Sequence, residues 1–417
     1  MKKINNIIWF VSDFKEAGGG ERFILEAQHI LRKKNVRINI ICRQYDKKVL
    51  YNFFSENELY ITCLNPIQLN IRGVIGKFIN YCFCIKSLRN QFKTIKPDNI
   101  VSQNIADHVI VYLASLFFSF PHIIKDDGPL FQISGQNIIY SILYRNKLNK
   151  ILNLIKDTGE SIQTVTKTKF IFLNIFNEIK GLLLYMSFKN AFIILSLTEK
   201  VKNEVKILYR HKNIYKIRGA YSKAIFNYAP RTNIRKRLNL LDKKIIFNIG
   251  RLVKHKRVDL CIKAINIIKN KNSDVKLLIG GIGPESDDLK NLVKSLKLED
   301  YVEFLGFIEE TELLDYYYAC DVFTTMDSAD FDITPYVALA LEKNVVWPKI
   351  MGLDRELEEN NRHIFSTVPN PTDIANSYYM ALNSPVKGNS VTESNDLQNY
   401  TWDSCFGNML KVMEGKI

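Results

Sequence analysis

Short apolar runs of strand length recur along the chain with stretches of helical periodicity between them, and this alternation constrains the fold more than any other feature. A first series falls at 6–12, 36–43, 59–64, 99–102, 122–125 and 192–196. A second falls at 244–249, 275–279, 301–305, 321–325, 344–347 and 363–366. Strands that alternate with helices predict a parallel sheet covered by helices, and two series within 417 residues predict two domains with separate cores. Between the series, 218–238 contains Gly219, Pro230 and the basic residues Arg231, Arg235, Lys236 and Arg237, which reads as a hinge with few constraints of its own. The boundary is therefore placed near residue 220, giving domains 1–220 and 221–417. Open α/β sheets bind ligands beyond the carboxyl ends of their strands. Two such domains facing one another would enclose a cleft, where the chemistry is expected.

Charge separates the two halves. Residues 1–220 hold 33 Lys+Arg against 16 Asp+Glu, whereas 221–417 hold 25 against 27. A basic half-molecule implies an anionic partner. Residues 71–95 place Val74, Phe78, Cys82, Ile85, Leu88, Phe92 and Ile95 at helical steps among Arg72, Lys77, Lys86, Arg89 and Lys93. Residues 167–189 set Phe170, Phe172, Ile175, Phe176, Leu182, Leu183, Tyr185 and Met186 among Lys167, Lys169, Lys180 and Lys189. Such helices suit an anionic membrane surface; apolar faces packed in a core with a solvated rim of lysines explain them equally well. No zinc-finger spacing, basic-aromatic RNA motif or helix-turn-helix signature points to nucleic acid.

Other classes lack support. The seven cysteines (Cys42, Cys63, Cys82, Cys84, Cys261, Cys320, Cys405) are scattered, and only Cys82 and Cys84 are close, which predicts reduced thiols in a cytosolic protein. The six histidines show no metal-binding spacing, and no Gly-x-Ser-x-Gly elbow occurs. The apolar run after Met1-Lys2-Lys3 is short and broken by Asp13, unlike a secretion signal. The longest apolar stretch, 109–120, falls short of the roughly 20 residues that span a bilayer.

Two loops carry candidate chemistry. After the first strand, Glu16-Ala17-Gly18-Gly19-Gly20-Glu21-Arg22 opens a helix, and consecutive glycines there let backbone N–H groups approach an anion. A plain tight turn is the other reading. After the first strand of the second series, Gly250-Arg251-Leu252-Val253-Lys254-His255-Lys256 sets Arg251 and Lys256 five residues apart, a fork and a point charge suited to a diphosphate. A solvated basic turn is the alternative.

The run from Gly250 to Lys256, then Gly280-Gly281-Ile282-Gly283-Pro284, Val302-Glu303-Phe304-Leu305-Gly306-Phe307 and Ala319-Cys320-Asp321-Val322-Phe323, resembles in order and spacing the retaining GT-B glycosyltransferases that use nucleotide-sugar donors. The resemblance covers most of the second half; in the first half Gly18-Gly19-Gly20-Glu21-Arg22 and the strand order agree. It implies two Rossmann-like domains, an acceptor-binding 1–220 and a donor-binding 221–417, with the last helix packing back on the first domain. It implies further that Arg251 and Lys256 hold the donor diphosphate and stabilise the departing nucleotide. Gly18, Gly19 and Gly20 match the loop that approaches the donor phosphates, and Gly281 and Gly283 the turn beside the nucleotide. Asp127 stands where the family usually has a histidine. No metal or cofactor is implied; the nucleotide sugar is a substrate.

The family's strongest segment resembles E-G-F-G-L-T-P-L-E-A-x-A-x-G-x-P-V, and this chain reads Ala329-Asp330-Phe331-Asp332-Ile333-Thr334-Pro335-Tyr336-Val337-Ala338-Leu339-Ala340-Leu341-Glu342. Aligned on Thr334-Pro335, the two glutamates fall on Ala329 and Val337, and the small Gly after them falls on Glu342. Val337 cannot accept a ribose hydroxyl. Asp330 and Thr334 are the candidate donor contacts left in this segment. Asp327, Asp330 and Asp332 form an acidic cluster that either replaces the glutamates or is a solvated loop, and loss of Asp332 is expected to matter little. The resemblance thus implies sugar transfer, in cell-surface polysaccharide or glycolipid assembly, to a polyprenyl-linked or lipid acceptor by a cytoplasmic protein on an anionic membrane. The altered segment suggests instead a degenerate subunit that binds acceptor or a partner glycosyltransferase.

Overall fold

The computed structural model describes residues 3–14, 19–46, 60–64, 74–126, 175–270, 273–327, 332–349, 357–358, 361–385 and 395–416. They divide into two units. Residues up to Gly219, together with those from Trp402 onward, form the first, and those from Ala220 to Thr401 the second.

Strand β1 (Asn6–Phe14) reads as a nearly unbroken apolar run, and Ile7 to Val11 are all buried, as a strand covered on both faces requires. It pairs in parallel with β2 (Arg37–Tyr45) and β4 (Asn99–Ser102). With β3 (Ile61–Cys63), β5 (His122–Asp126), β6 (Ile193–Ser196) and β7 (Ile214–Lys216) the sheet has the order β3-β2-β1-β4-β5-β6-β7. The sequence expectation omits β7. Ile214-Tyr215-Lys216 buries only Ile214, too little to reveal a strand period.

Helix α1 (Gly19–Lys33) covers one face of this sheet, and α2 (Val74–Ile95), α3 (Ile105–Ser115) and α4 (Ile175–Asn190) belong to the other side. Helix α5 (Glu199–Tyr209) precedes β7 and is capped by Thr198, whose hydroxyl accepts from Val201 N. Trp402, Phe406 and Met409, from the last helix of the chain, complete the core beside α1. Phe23 receives Trp9, Trp402 and Phe406 edge-on at centroid distances of 6.0, 5.8 and 5.0 Å, contacts worth about 0.5–1.5 kcal/mol each beyond burial. Gly219 is needed here because a Cβ would lie 2.3 Å from the Trp402 ring.

The apolar face of α2 differs from expectation. Cys82 is exposed and Cys84 is buried with Leu88 and Phe92. Lys86 and Lys93 form an exposed rim, while Arg89 turns inward and donates to the carbonyls of Leu113 and Ala114 at the end of α3. On α4, Leu184 and Phe188 are buried, whereas Ile179, Leu182 and Met186 are exposed. Among the described residues no helix is long and apolar enough to cross a membrane.

The second unit repeats the architecture. Its strands are β8 (Lys244–Ile249), β9 (Val275–Gly280), β10 (Val302–Gly306), β11 (Val322–Thr324), β12 (Asn344–Pro348) and β13 (Ile364–Thr367), all parallel, in the order β10-β9-β8-β11-β12-β13. Its helices are α6 (Ile234–Arg237), α7 (Val258–Ile268), α8 (Ser286–Ser295), α9 (Glu310–Ala319), α10 (Thr334–Ala340), α11 (Pro371–Asn383) and α12 (Asn395–Gln398); α13 (Trp402–Met413) is the closing helix of the first unit. Cys261, Ile262 and Ile265 of α7 and Ile374 and Tyr378 of α11 pack on Ile246, Leu277 and Val346. Opposite them, Tyr316 and Tyr317 of α9 and Tyr336 of α10 pack on Phe247, Phe323 and Trp347.

The segment read as a hinge with few constraints of its own is instead pinned to the second unit from Tyr228 to Arg235. Arg235 donates to the carbonyls of Ala319 and Lys243 and pairs with Asp321 at 2.7 Å. Asp315 accepts from the Tyr228 hydroxyl and from the backbone N–H groups of Arg231 and Thr232.

Glu342, where the resemblance has glycine, sits past the end of α10 with φ 59°. That left-handed conformation strains a side chain by about 1–2 kcal/mol. Glu342→Gly is therefore expected to raise the unfolding free energy by about 1 kcal/mol, measured as an upward shift of the urea midpoint.

Candidate functional site

In the second unit the strand order reverses between β8 and β11, and in an open parallel sheet the crevice beyond the carboxyl ends of such a pair receives ligands. The loop after β8 carries Arg251, whose side chain is exposed, and then a single 3₁₀ turn, Lys254–Lys256. The loop after β11 carries Thr325, Met326 and Asp327. Arg257, in a left-handed conformation with φ 48°, donates from Nε to the Met326 carbonyl at 2.8 Å and ties the two loops together.

The glycine loop after β9 supports the first of these. Gly281 has φ 114°, and a Cβ on it would lie 1.9 Å from the Gly250 carbonyl oxygen; a Cβ on Gly283 would lie 2.2 Å from that of Leu252. Gly250 N donates to Gly280 O, Leu252 N to Ile282 O and Glu285 N to Leu252 O, so the two loops are laced along their backbones. Both glycines are thus required by close backbone approach, and they set where Arg251 stands.

Lys256 is no solvated turn residue. Its ammonium lies 2.6 Å from Asp327 Oδ2 and 3.2 Å from Asp332 Oδ2, with its side chain 20% exposed and both carboxylates 4% exposed. Asp332 Oδ2 also accepts from the Thr325 hydroxyl at 3.0 Å, while Oδ1 accepts from the Thr334 N–H at 3.0 Å and the Thr334 hydroxyl at 2.7 Å. Burial opposes the charge on Lys256, but Asp332 and Asp327 outweigh it and hold the ammonium above its ordinary range. Burial likewise opposes ionisation of Asp332, and Lys256 and the threonine donors override it, keeping that carboxyl below its usual range. Asp327 and Asp332 are therefore paired and buried, which overturns the solvated acidic loop for these two. Thr334, a predicted donor contact, directs its hydroxyl to Asp332 at the start of α10. Asp330 lies outside the described residues.

In the first unit the strand order reverses between β1 and β4. Gly19 and Gly20 form the amino-terminal turn of α1, Gly19 exposed and with nothing within 4 Å of a Cβ. Gly18 and Asp127 lie outside the described residues. Asp107, in the first turn of α3, accepts from the Ser12 N–H at 3.1 Å, the Ser12 hydroxyl and the Asn104 amide at 3.1 Å; burial pushes its carboxyl up to about 6. Ser102 Oγ lies 2.8 Å from both His108 Nδ1 and His122 Nε2. Lys125 is buried with Nζ 4.3 Å from the Phe23 centroid; burial lowers it to about 7 against the opposing pull of Cys405, Asp126 and Glu21. Sequence reasoning missed this network, because Ser102, His108 and His122 meet only through strand register and helix docking.

Burial pushes His122 down from 6.5 to about 3 and lowers His108 likewise. The unfolded chain binds a proton at such a histidine where the fold does not, so this stabilisation is complete above about pH 6.5 and is lost as the pH falls toward 3. Unfolding free energy is expected to drop between about pH 7 and pH 4.5, and His122→Gln to flatten that slope in urea titrations at the two pH values.

Residues 230–398, within the second unit, match the family model described as Glycosyl transferases group 1. An uncharacterized glycosyltransferase of Haemophilus influenzae is 24% identical over 320 residues, 76% of this chain and 72% of that protein. Mannosylfructose-phosphate synthase of Agrobacterium fabrum is 28% identical over 169 residues, 38% of this chain and 37% of its own. Among solved structures, sucrose-phosphate synthase of Thermosynechococcus elongatus shares the fold with a TM-score of 0.73 at 16% identity, covering 99% of each chain. Anabaena Alr3699/HepE in complex with UDP gives 0.70 at 14% identity over 98% of this chain and 100% of that one. The fold, two parallel-sheet Rossmann-like units, is that of the GT-B glycosyltransferases.

Proposed function

We propose that the chain moves a sugar from a nucleotide-sugar donor to an acceptor hydroxyl, with retention at the anomeric carbon and with side-chain cations in place of a metal ion. The observation that carries this reading is the pair Arg251 and Lys256 on the loop after β8, at the point where the strand order of a group 1 domain reverses. Arg251 offers a planar fork for two phosphate oxygens and Lys256 a compact charge. As the sugar–oxygen bond breaks, negative charge builds on the departing diphosphate, and fixed cations there lower the barrier. The UDP held by the Anabaena structure supports a nucleotide donor.

In this reading the amino terminus of α1 approaches the donor phosphates through Gly18, Gly19 and Gly20. Gly281 and Gly283 shape the loop beside the nucleotide, Asp127 takes the part of the family's histidine, and Asp330 and Thr334 are assigned to the donor. The acceptor is a polyprenyl-linked or lipid glycan, in keeping with the basic first half, and the exposed Ile179, Leu182 and Met186 of α4 beside exposed Lys189 suit an anionic membrane. One observation favours a second reading, a catalytically degenerate subunit that serves a partner glycosyltransferase. Val337, at the position of the ribose-gripping glutamate, packs its side chain against the apolar core of the second unit.

With a panel of nucleotide sugars, Arg251→Ala is expected to cut turnover by on the order of a hundredfold and to abolish the thermal shift caused by the matching nucleoside diphosphate. No shift and no turnover with any donor would support the degenerate subunit. Flotation with anionic liposomes at low salt, lost at high salt, is the outcome expected of the membrane surface.

A further inference from the structure

The carboxylates around Lys256 raise a question that the donor reading leaves open, since the cation meant for a diphosphate is already paired twice. Two of the three N–H donors of an ammonium are committed at 2.6 and 3.2 Å. Asp332 is anchored and cannot swing away, because Thr325 and Thr334 hold both of its oxygens. Lys256 ends a flexible four-carbon stem, so it is the partner able to move. In charge, Arg251 and Lys256 are balanced by Asp327 and Asp332, and an incoming diphosphate meets two nearly dry negative groups just behind the ammonium. Aligned on Thr334-Pro335, Asp332 falls on the second glycine of the segment quoted for the resemblance.

We propose that Asp332 and Asp327 are affinity-setting residues that compete internally with the nucleoside diphosphate for Lys256, loosening the site's hold on that product and speeding its release. The inference rests on the proposed donor site. When the diphosphate binds, Lys256 turns part of its hydrogen bonding from the carboxylates to a phosphate oxygen; when it leaves, the anchored Asp332 and its neighbour Asp327 take the ammonium back. Weaker binding of the free diphosphate leaves the interactions that form with the developing charge available to lower the barrier.

The test uses the full chain with UDP and GDP as probes. Asp332→Asn and, separately, Asp327→Asn keep the side-chain shape and remove one negative charge. Each is expected to tighten nucleoside diphosphate binding by about tenfold in calorimetry and to slow its dissociation. Affinity for the uncharged nucleoside should stay the same, and the gain should vanish when Lys256→Met is added. Native-like melting with unchanged or weaker diphosphate affinity in both variants would overturn the proposal. If wild type and variants alike bind neither diphosphate, the donor reading fails instead, and acetylation of Lys256 by an N-hydroxysuccinimide ester decides the pairing. A several-fold faster acetylation in Asp332→Asn upholds the carboxylate hold on the ammonium, and an unchanged rate refutes it. Should Asp332→Asn fail to fold, Asp327→Asn carries the same measurements.

Discussion

Every strand of both sheets runs parallel to its neighbours, and the rest of the structure follows from that constraint. A parallel pair cannot be closed by a tight turn, so each connection crosses over the sheet, and both faces are then covered. The strands consequently become apolar on both sides, as Ile7 to Val11 and Ile245 to Phe247 are. Beside α1, the core of the first unit is completed by Trp402, Phe406 and Met409 from α13, with Gly219 left bare to admit the Trp402 ring.

The same topology decides where chemistry is possible. Where the order reverses, neighbouring crossovers leave in opposite directions and the loops beyond the strand ends diverge. In the second unit those loops bring Arg251, Lys256, Asp327 and Asp332 to one place, and Gly281 and Gly283 let the supporting loop press against the Arg251 backbone. Breaking the Lys256 cluster by removing one partner would leave buried charge uncompensated. Lys256, Asp327 and Asp332 are therefore an element of stability as well as part of the proposed donor site.

Periodicity made most strands legible, because a covered parallel strand is a continuous apolar run bounded by polar turns. It failed at β7, where three residues carry one buried side chain, and on α2, where helical steps put Cys82 on the apolar face and packing against α3 buries Cys84 instead. The glycine spacing marked two loops that the structure laces together along their backbones beside Arg251. It did not reveal that the basic segment 228–237 is bound to Asp315 and Asp321, since those partners lie far along the chain.

By itself the sequence determined the two-fold α/β plan, the basic character of the first half and the presence of Arg251 and Lys256 on one loop, because strand period, composition and spacing are local properties. Only the tertiary structure decided that Lys256 is held by two aspartates more than seventy residues away, and that His108 and His122 share Ser102. Those pairings depend on which strands become neighbours and on the burial that strips water from the groups, and neither is written in the residues nearby.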